Sequence, residues 1–124
     1  MNLRKEPFRY LFTEPLSCLL ELAEFNGTPV SSKPAEAVLI NLSKGGCKIV
    51  TDLNLHADTN QVVVKLHLPL TETPILCPAT IQWQRAQDST RFEYGLQFQL
   101  PPSEKERILV DLRTLAAERK IVVE

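Results

Sequence analysis

The chain has 124 residues, 44% hydrophobic and 23% charged, a balance that fits one globular domain with its own core and argues against disorder. Fourteen Lys and Arg stand against fifteen Asp and Glu, so no overall basic charge favours sequence-independent binding to long nucleic acid. No apolar run reaches the roughly 18 to 20 residues of a membrane helix, and Thr13, Glu14 and Pro15 break the segment after the basic N-terminus, so neither membrane insertion nor a signal peptide is expected.

Residues 1–15 are polar, basic and interrupted by Pro7 and Pro15, which predicts an arm, with the folded domain over 16–124. The apolar run 16–25 ends at Asn26-Gly27, a turn pair that tolerates positive φ. That ending favours a strand, although the Leu-rich part could pass for a helix on propensity alone. Residues 28–34, rich in Ser, Pro and Thr, read as a loop. Strands are expected over 35–42 and 47–51, joined by a turn over 43–46 in which Gly45-Gly46 allows positive φ. Over 62–68, Val62, Val64, Leu66 and Leu68 alternate with Lys65 and His67.

Residues 75–84 and 92–100 complete the strands across the polar turn 87–90. Pro101-Pro102 stops the last one, and Ser103 and Glu106 suit a capping box. Ile108, Leu109, Leu112, Leu115 and Ala116 then recur at helical spacing, predicting a helix over about 103–119 before a brief apolar tail at 121–123. The fold class is therefore all-β dominated: a six-stranded antiparallel β-barrel with one C-terminal α-helix, in a single domain.

Cys18, Cys47 and Cys77 fit neither a disulfide framework nor a zinc pattern, and are expected as small core residues of a reduced cytoplasmic protein. His56 and His67 lack partners at ligand spacing, so they read as surface residues and no metal is expected. Glu21, Glu24 and Asp52 read as isolated carboxylates. With no nucleophile elbow and no phosphate-cradling loop carrying a lysine, the chain does not read as an enzyme. Trp83 and Phe98 read as core or barrel-edge residues.

Two clusters remain. Arg4, Lys5 and Arg9 give the arm a local positive charge suited to a small anion. Asn41, Ser43 and Gly46 form Asn-x-Ser-x-x-Gly between two expected strands. Taken alone the first is a solvated basic tail and the second an ordinary turn. Their order and context, with Trp83 and Tyr94-Gly95-Leu96-Gln97-Phe98 in the late strands, resemble the PilZ domain, the bacterial receptor module for cyclic di-GMP. Its signatures are Arg-x-x-x-Arg in an N-terminal arm and Asp/Asn-x-Ser-x-x-Gly in a split barrel.

The resemblance implies that Arg4, Lys5, Arg9, Asn41, Ser43 and Gly46 bind cyclic di-GMP, with Arg85 and Gln97 as secondary contacts. An Arg guanidinium donates two hydrogen bonds to a guanine edge and stacks on the base; Asn41 can meet the same edge, Ser43 a guanine or phosphate, and Gly46 leaves room for close approach. The chain departs from the motif at Lys5, which stands where the first Arg belongs. Lys carries charge without the planar fork, and Arg4 would have to shift register by one residue to replace it. The implied output is a changed surface offered to a bacterial effector protein, with a homodimer through the helix stripe as a further option. The alternative is a PilZ-like module that docks to a protein without binding the nucleotide. A single-stranded nucleic-acid barrel ranks a distant third, because only 6% of residues are aromatic.

Overall fold

The computed structural model describes residues 10–43, 45–69, 75–117 and 121–123. Among these, the elements run β1 (Tyr10–Phe25), β2 (Thr28–Pro29), β3 (Ala35–Leu42), β4 (Gly46–Thr51), β5 (Val62–Leu68), β6 (Ile75–Ala86), β7 (Phe92–Phe98), α1 (Pro102–Ala117) and β8 (Ile121–Val123). Hydrogen-bonded neighbours run in the order β1-β3-β4-β7-β6-β5, and β5 pairs back onto β1, so six antiparallel strands close a barrel. The two short strands, β2 and β8, add to β1 outside that circuit. The expected barrel with one C-terminal helix is the fold observed.

Closure depends on the length of β1. Its 16 residues pair with β3 along Tyr10 to Leu20 and with β5 along Leu19 to Phe25, so one strand serves both edges of the sheet. The strand starts at Tyr10, ahead of the position expected from sequence, and runs through Pro15. A register shift between Leu11 and Leu16 accommodates that proline, since a bulge needs no ladder donor there. Two further departures are β2, inside the segment expected as a loop, and the apolar tail, which forms β8 against Tyr10, Leu11 and Phe12.

Turn chemistry fixes the hairpins. Asn26 (φ 51°) and Gly27 (φ 83°) both adopt left-handed backbone between β1 and β2, as that dipeptide suggests. Asp88 shapes the β6–β7 turn by accepting from the Thr90 and Arg91 amides at 2.8 Å, and those bonds with the Arg91 charge lower its carboxyl pKa. The helix begins at Pro102 rather than at Ser103. The Pro101 carbonyl accepts from the Glu104 and Lys105 amides, so Ser103 lies inside the first turn and does not cap it.

Val62, Val64, Leu66 and Leu68 point inward as alternation requires, and meet Leu20, Leu39, Ile49, Tyr94 and Phe98 in one core. Each such side chain contributes roughly 1.5 to 3 kcal/mol on burial. Ile108 and Leu112, one helical turn apart, join the same core, so this stripe of α1 packs on its own barrel. Cys18, Cys47 and Cys77 are buried free thiols in that core. The Tyr94 hydroxyl donates to the Leu53 carbonyl at 2.6 Å and accepts from the Leu55 amide at 2.9 Å, fastening the β4–β5 loop over the barrel. Burial raises its phenol above the usual range, against the lowering effect of the Leu55 amide.

Candidate functional site

Strict alternation along β3 would turn Asn41 inward with Leu39. A register shift between Leu39 and Asn41 makes Ile40 an extra residue, so that Asn41 pairs with Lys48. Lys48 lies between the inward Cys47 and Ile49 and so faces away from the core; cross-strand partners share a face, and Asn41 faces outward with it. β6 repeats the device. A shift between Ile81 and Trp83 makes Gln82 the extra residue, and Trp83 pairs with Gly95 on the outer face. Trp83 is 41% exposed, so of the two readings, core or barrel edge, the structure shows the second.

The two bulges align one row across four strands: Asn41 on β3, Lys48 on β4, Gly95 on β7 and Trp83 on β6. At about 4.8 Å per strand the row spans about 14 Å. A Cβ on Gly95 would fall on the indole of Trp83, so the ring lies directly on that glycine. The Arg85 guanidinium carbon sits 5.4 Å from the ring centroid, and Arg85 pairs with the buried Glu93.

The turn beside this row holds the motif. The Ser43 amide donates to the Gly46 carbonyl at 2.9 Å. The Ser43 hydroxyl accepts from the Gly45 amide and donates to the Gly46 carbonyl, both at 3.3 Å. Gly46 does not take up the positive φ that the glycine pair allows. Gly46 is needed for another reason: a Cβ there would strike the backbone carbonyl of Leu96, because β4 and β7 approach closely.

Asn41, Ser43, Gly45, Gly46 and Lys48 line one side of an open cleft of about 150 Å³, with Gln82, Trp83 and Gln97 on the other. Gln82 donates to Gln97 at 3.0 Å along the rim. Asn41 is 4% exposed, yet its carboxamide has no hydrogen-bond partner among the described residues; nor has the Lys48 ammonium a carboxylate. The Asn41 amide and the Lys48 cation share one wall, a combination suited to an anionic, hydrogen-bonding ligand.

The structure thus brings Asn41, Ser43, Gly46 and Gln97 to one cleft, with Arg85 beside it on Trp83. Arg4, Lys5 and Arg9 lie outside the described residues. Trp83 and Gly95 entered the sequence reading only as part of the late-strand pattern, and Lys48 and Gln82 not at all, though Lys48 was within reach: it stands two residues beyond Gly46 and hence on the same face. Glu21 is not isolated, since it meets His67 at 2.7 Å across β1 and β5. Among the described residues no trio of His, Cys, Asp or Glu is arranged to hold a metal ion, and no helix is long and apolar enough to cross a membrane.

MrkH from K. pneumonia, in a structure with c-di-GMP, superposes with a TM-score of 0.63 at 18% identity, over 97% of this chain and 57% of MrkH. Apo MrkH gives 0.58 at 20% identity, over 97% and 56%. The Bacillus subtilis inhibitor of motility, MotI/DgrA, gives 0.57 at 12% identity, over 94% and 52%. The chain therefore spans little more than half the length of these structures, and at such identity the likeness shows a shared fold. A search of curated proteins found no match. A family model described as PilZ domain matches residues 3–114, all six barrel strands and most of the helix, and the chain accordingly belongs to the PilZ domain family of cyclic di-GMP receptor and adaptor modules.

Proposed function

We propose that the chain binds cyclic di-GMP between its N-terminal arm and the outer face of β3, β4, β7 and β6, and that binding alters the surface offered to a bacterial effector protein in the cytoplasm. One observation carries this reading. The segment bearing Arg4, Lys5 and Arg9 joins the barrel at Tyr10, whose strand partner is Leu42, and the next pair is Leu11 with Asn41. The basic arm is therefore tethered to the motif strand, beside a cleft whose Asn41 amide is unengaged. Arg9 then serves as the guanine-edge donor, with Asn41 as the polar group of the barrel side. Tightening of the arm is a population shift, driven by contacts that the nucleotide makes only in the closed form.

Calorimetric titration of the full chain with cyclic di-GMP tests the proposal. A saturable isotherm is expected, accompanied by NMR shifts at Asn41, Ser43 and Gly46. Lys5 favours the second reading, a docking module without nucleotide affinity, because an ammonium lacks the fork that reads guanine. No heat at about 100 µM ligand, a concentration at which even a weak 10 µM site is saturated, would decide for docking.

A further inference from the structure

Two exposed leucines share a row on the side of the barrel away from the cleft. Leu19 on β1 pairs with His67 on β5, and His67 with Leu76 on β6; the leucines are 39% and 52% exposed. In the next row Glu21 pairs with Lys65, and Lys65 with Pro78. All six side chains face outward, because Leu20, Leu66 and Cys77 between them face the core. A single exposed leucine is ordinary. Two on one row, about 10 Å apart with a proline beside them, make an apolar patch on a sheet face. The helix stripe offers no such surface, since its Ile108 and Leu112 are buried in the barrel's own core.

The charges of this patch are only half paired. Lys65 stands directly opposite Glu21, yet the two form no ion pair. Glu21 turns its Oε2 to the His67 ring at 2.7 Å, which leaves its Oε1 and the Lys65 ammonium without a partner among the described residues. An acid on β1 level with an unpaired base on β5 is self-complementary under a two-fold axis along the seam between these strands. Such an axis lays Glu21 of each copy on Lys65 of the other. It also lays Leu19 of each copy on the other's His67 ring.

We propose that the chain pairs with a second copy of itself through the outer face of β1 and β5. Reciprocal Glu21–Lys65 ion pairs hold the contact around Leu19 and His67, with Leu76 and Pro78 at its rim. In the closed circuit of strands the β1–β5 seam lies opposite the β4–β7 seam. The pair therefore turns its two clefts outward and leaves both open, so association needs no ligand. The contact is small, and a weak, rapidly exchanging dimer is expected.

The test is sedimentation equilibrium of the full chain without ligand, from about 10 µM to about 1 mM, a range that reaches weak contacts. The mass should rise from one chain toward two, and less so in high salt. Glu21→Lys sets like charges at both reciprocal contacts, and so does Lys65→Glu; each alone is expected to weaken association about tenfold or more. An equimolar mixture of the two variants restores opposite charges at both contacts and should associate as the wild type does. Leu19→Asn leaves the charges in place and should also weaken association. All three positions face outward, and thermal melts verify that the variants fold. A one-chain mass throughout the range overturns the proposal. So do variants that associate like the wild type, or a mixture without rescue.

Discussion

Trp83 lies directly on Gly95, so any side chain at that glycine would displace the ring. The indole covers the backbone of β7 where a side chain is missing, and the glycine gives the ring a flat bed. Gly95→Ala places a methyl group inside the ring's volume. We expect a loss of about 1 to 3 kcal/mol, the usual range for overpacking, with a red shift of emission as the ring lifts into water. Gly46→Ala should cost more, because the obstacle there is the Leu96 carbonyl, which belongs to the sheet and cannot rotate aside. Denaturant melts of the two variants check this order; equal losses would mean that β4 and β7 part easily.

Much of this fold is readable as a string of residues, because local rules agree with the global result. Val62, Val64, Leu66 and Leu68 turn inward as their spacing predicts, Asn26-Gly27 turns as its chemistry requires, and Pro101-Pro102 separates strand from helix. The site is less readable, for one reason. Period-two reading carries a face along a strand, and a bulge silently reverses it. Ile40 and Gln82 have no composition that marks them as extra residues, yet they decide that Asn41 and Trp83 face the cleft. Closure through both edges of β1 is likewise a tertiary property, and it extends the strand past a proline that looks like a stop.

Ser43 has a role in the fold itself as well as the one proposed with ligand. Its hydroxyl bridges the Gly45 amide and the Gly46 carbonyl. Ser43→Ala should therefore lower stability by about 1 kcal/mol and weaken cyclic di-GMP binding by roughly 1 to 2 kcal/mol, the scale of a lost polar contact. Unfolding curves and titrations on one preparation separate the two effects. Lost affinity at unchanged stability would assign the hydroxyl to the ligand alone.

The three core thiols make the fold sensitive to alkali. Burial raises Cys18 from 9.0 to about 11 and Cys77 from 9.0 to about 12, the latter against a lowering by Lys105, and pushes Cys47 well above 9.0. The folded chain therefore keeps protons that the unfolded chain releases. The stabilisation is complete below about pH 9 and is lost as pH climbs through the folded values, at about 1.4 kcal/mol per pH unit for each thiol. Urea midpoints between pH 8 and 10.5 should fall, and replacing a core thiol by Ala should make that fall shallower. A thiol reagent at pH 8 should find no reactive cysteine in the native protein and three after denaturation. Rapid labelling of the native form would place a thiol outside the core.

The arm gives the sharpest pair of substitutions. Arg9 matches the second arginine of the family motif, so Arg9→Ala should abolish measurable cyclic di-GMP binding while the melting curve stays unchanged. Lys5 occupies the first arginine's place with a charge that cannot grip a guanine edge at two points. Lys5→Arg restores the planar fork and should tighten binding about tenfold, at the low end of what a bidentate base contact contributes. Titration of both variants checks each claim separately. If Arg9→Ala binds as the wild type does, the arm has no part in recognition. If Lys5→Arg leaves affinity unchanged while Arg9→Ala destroys it, position 5 meets phosphate or solvent, and guanine reading rests on Arg9 with Asn41.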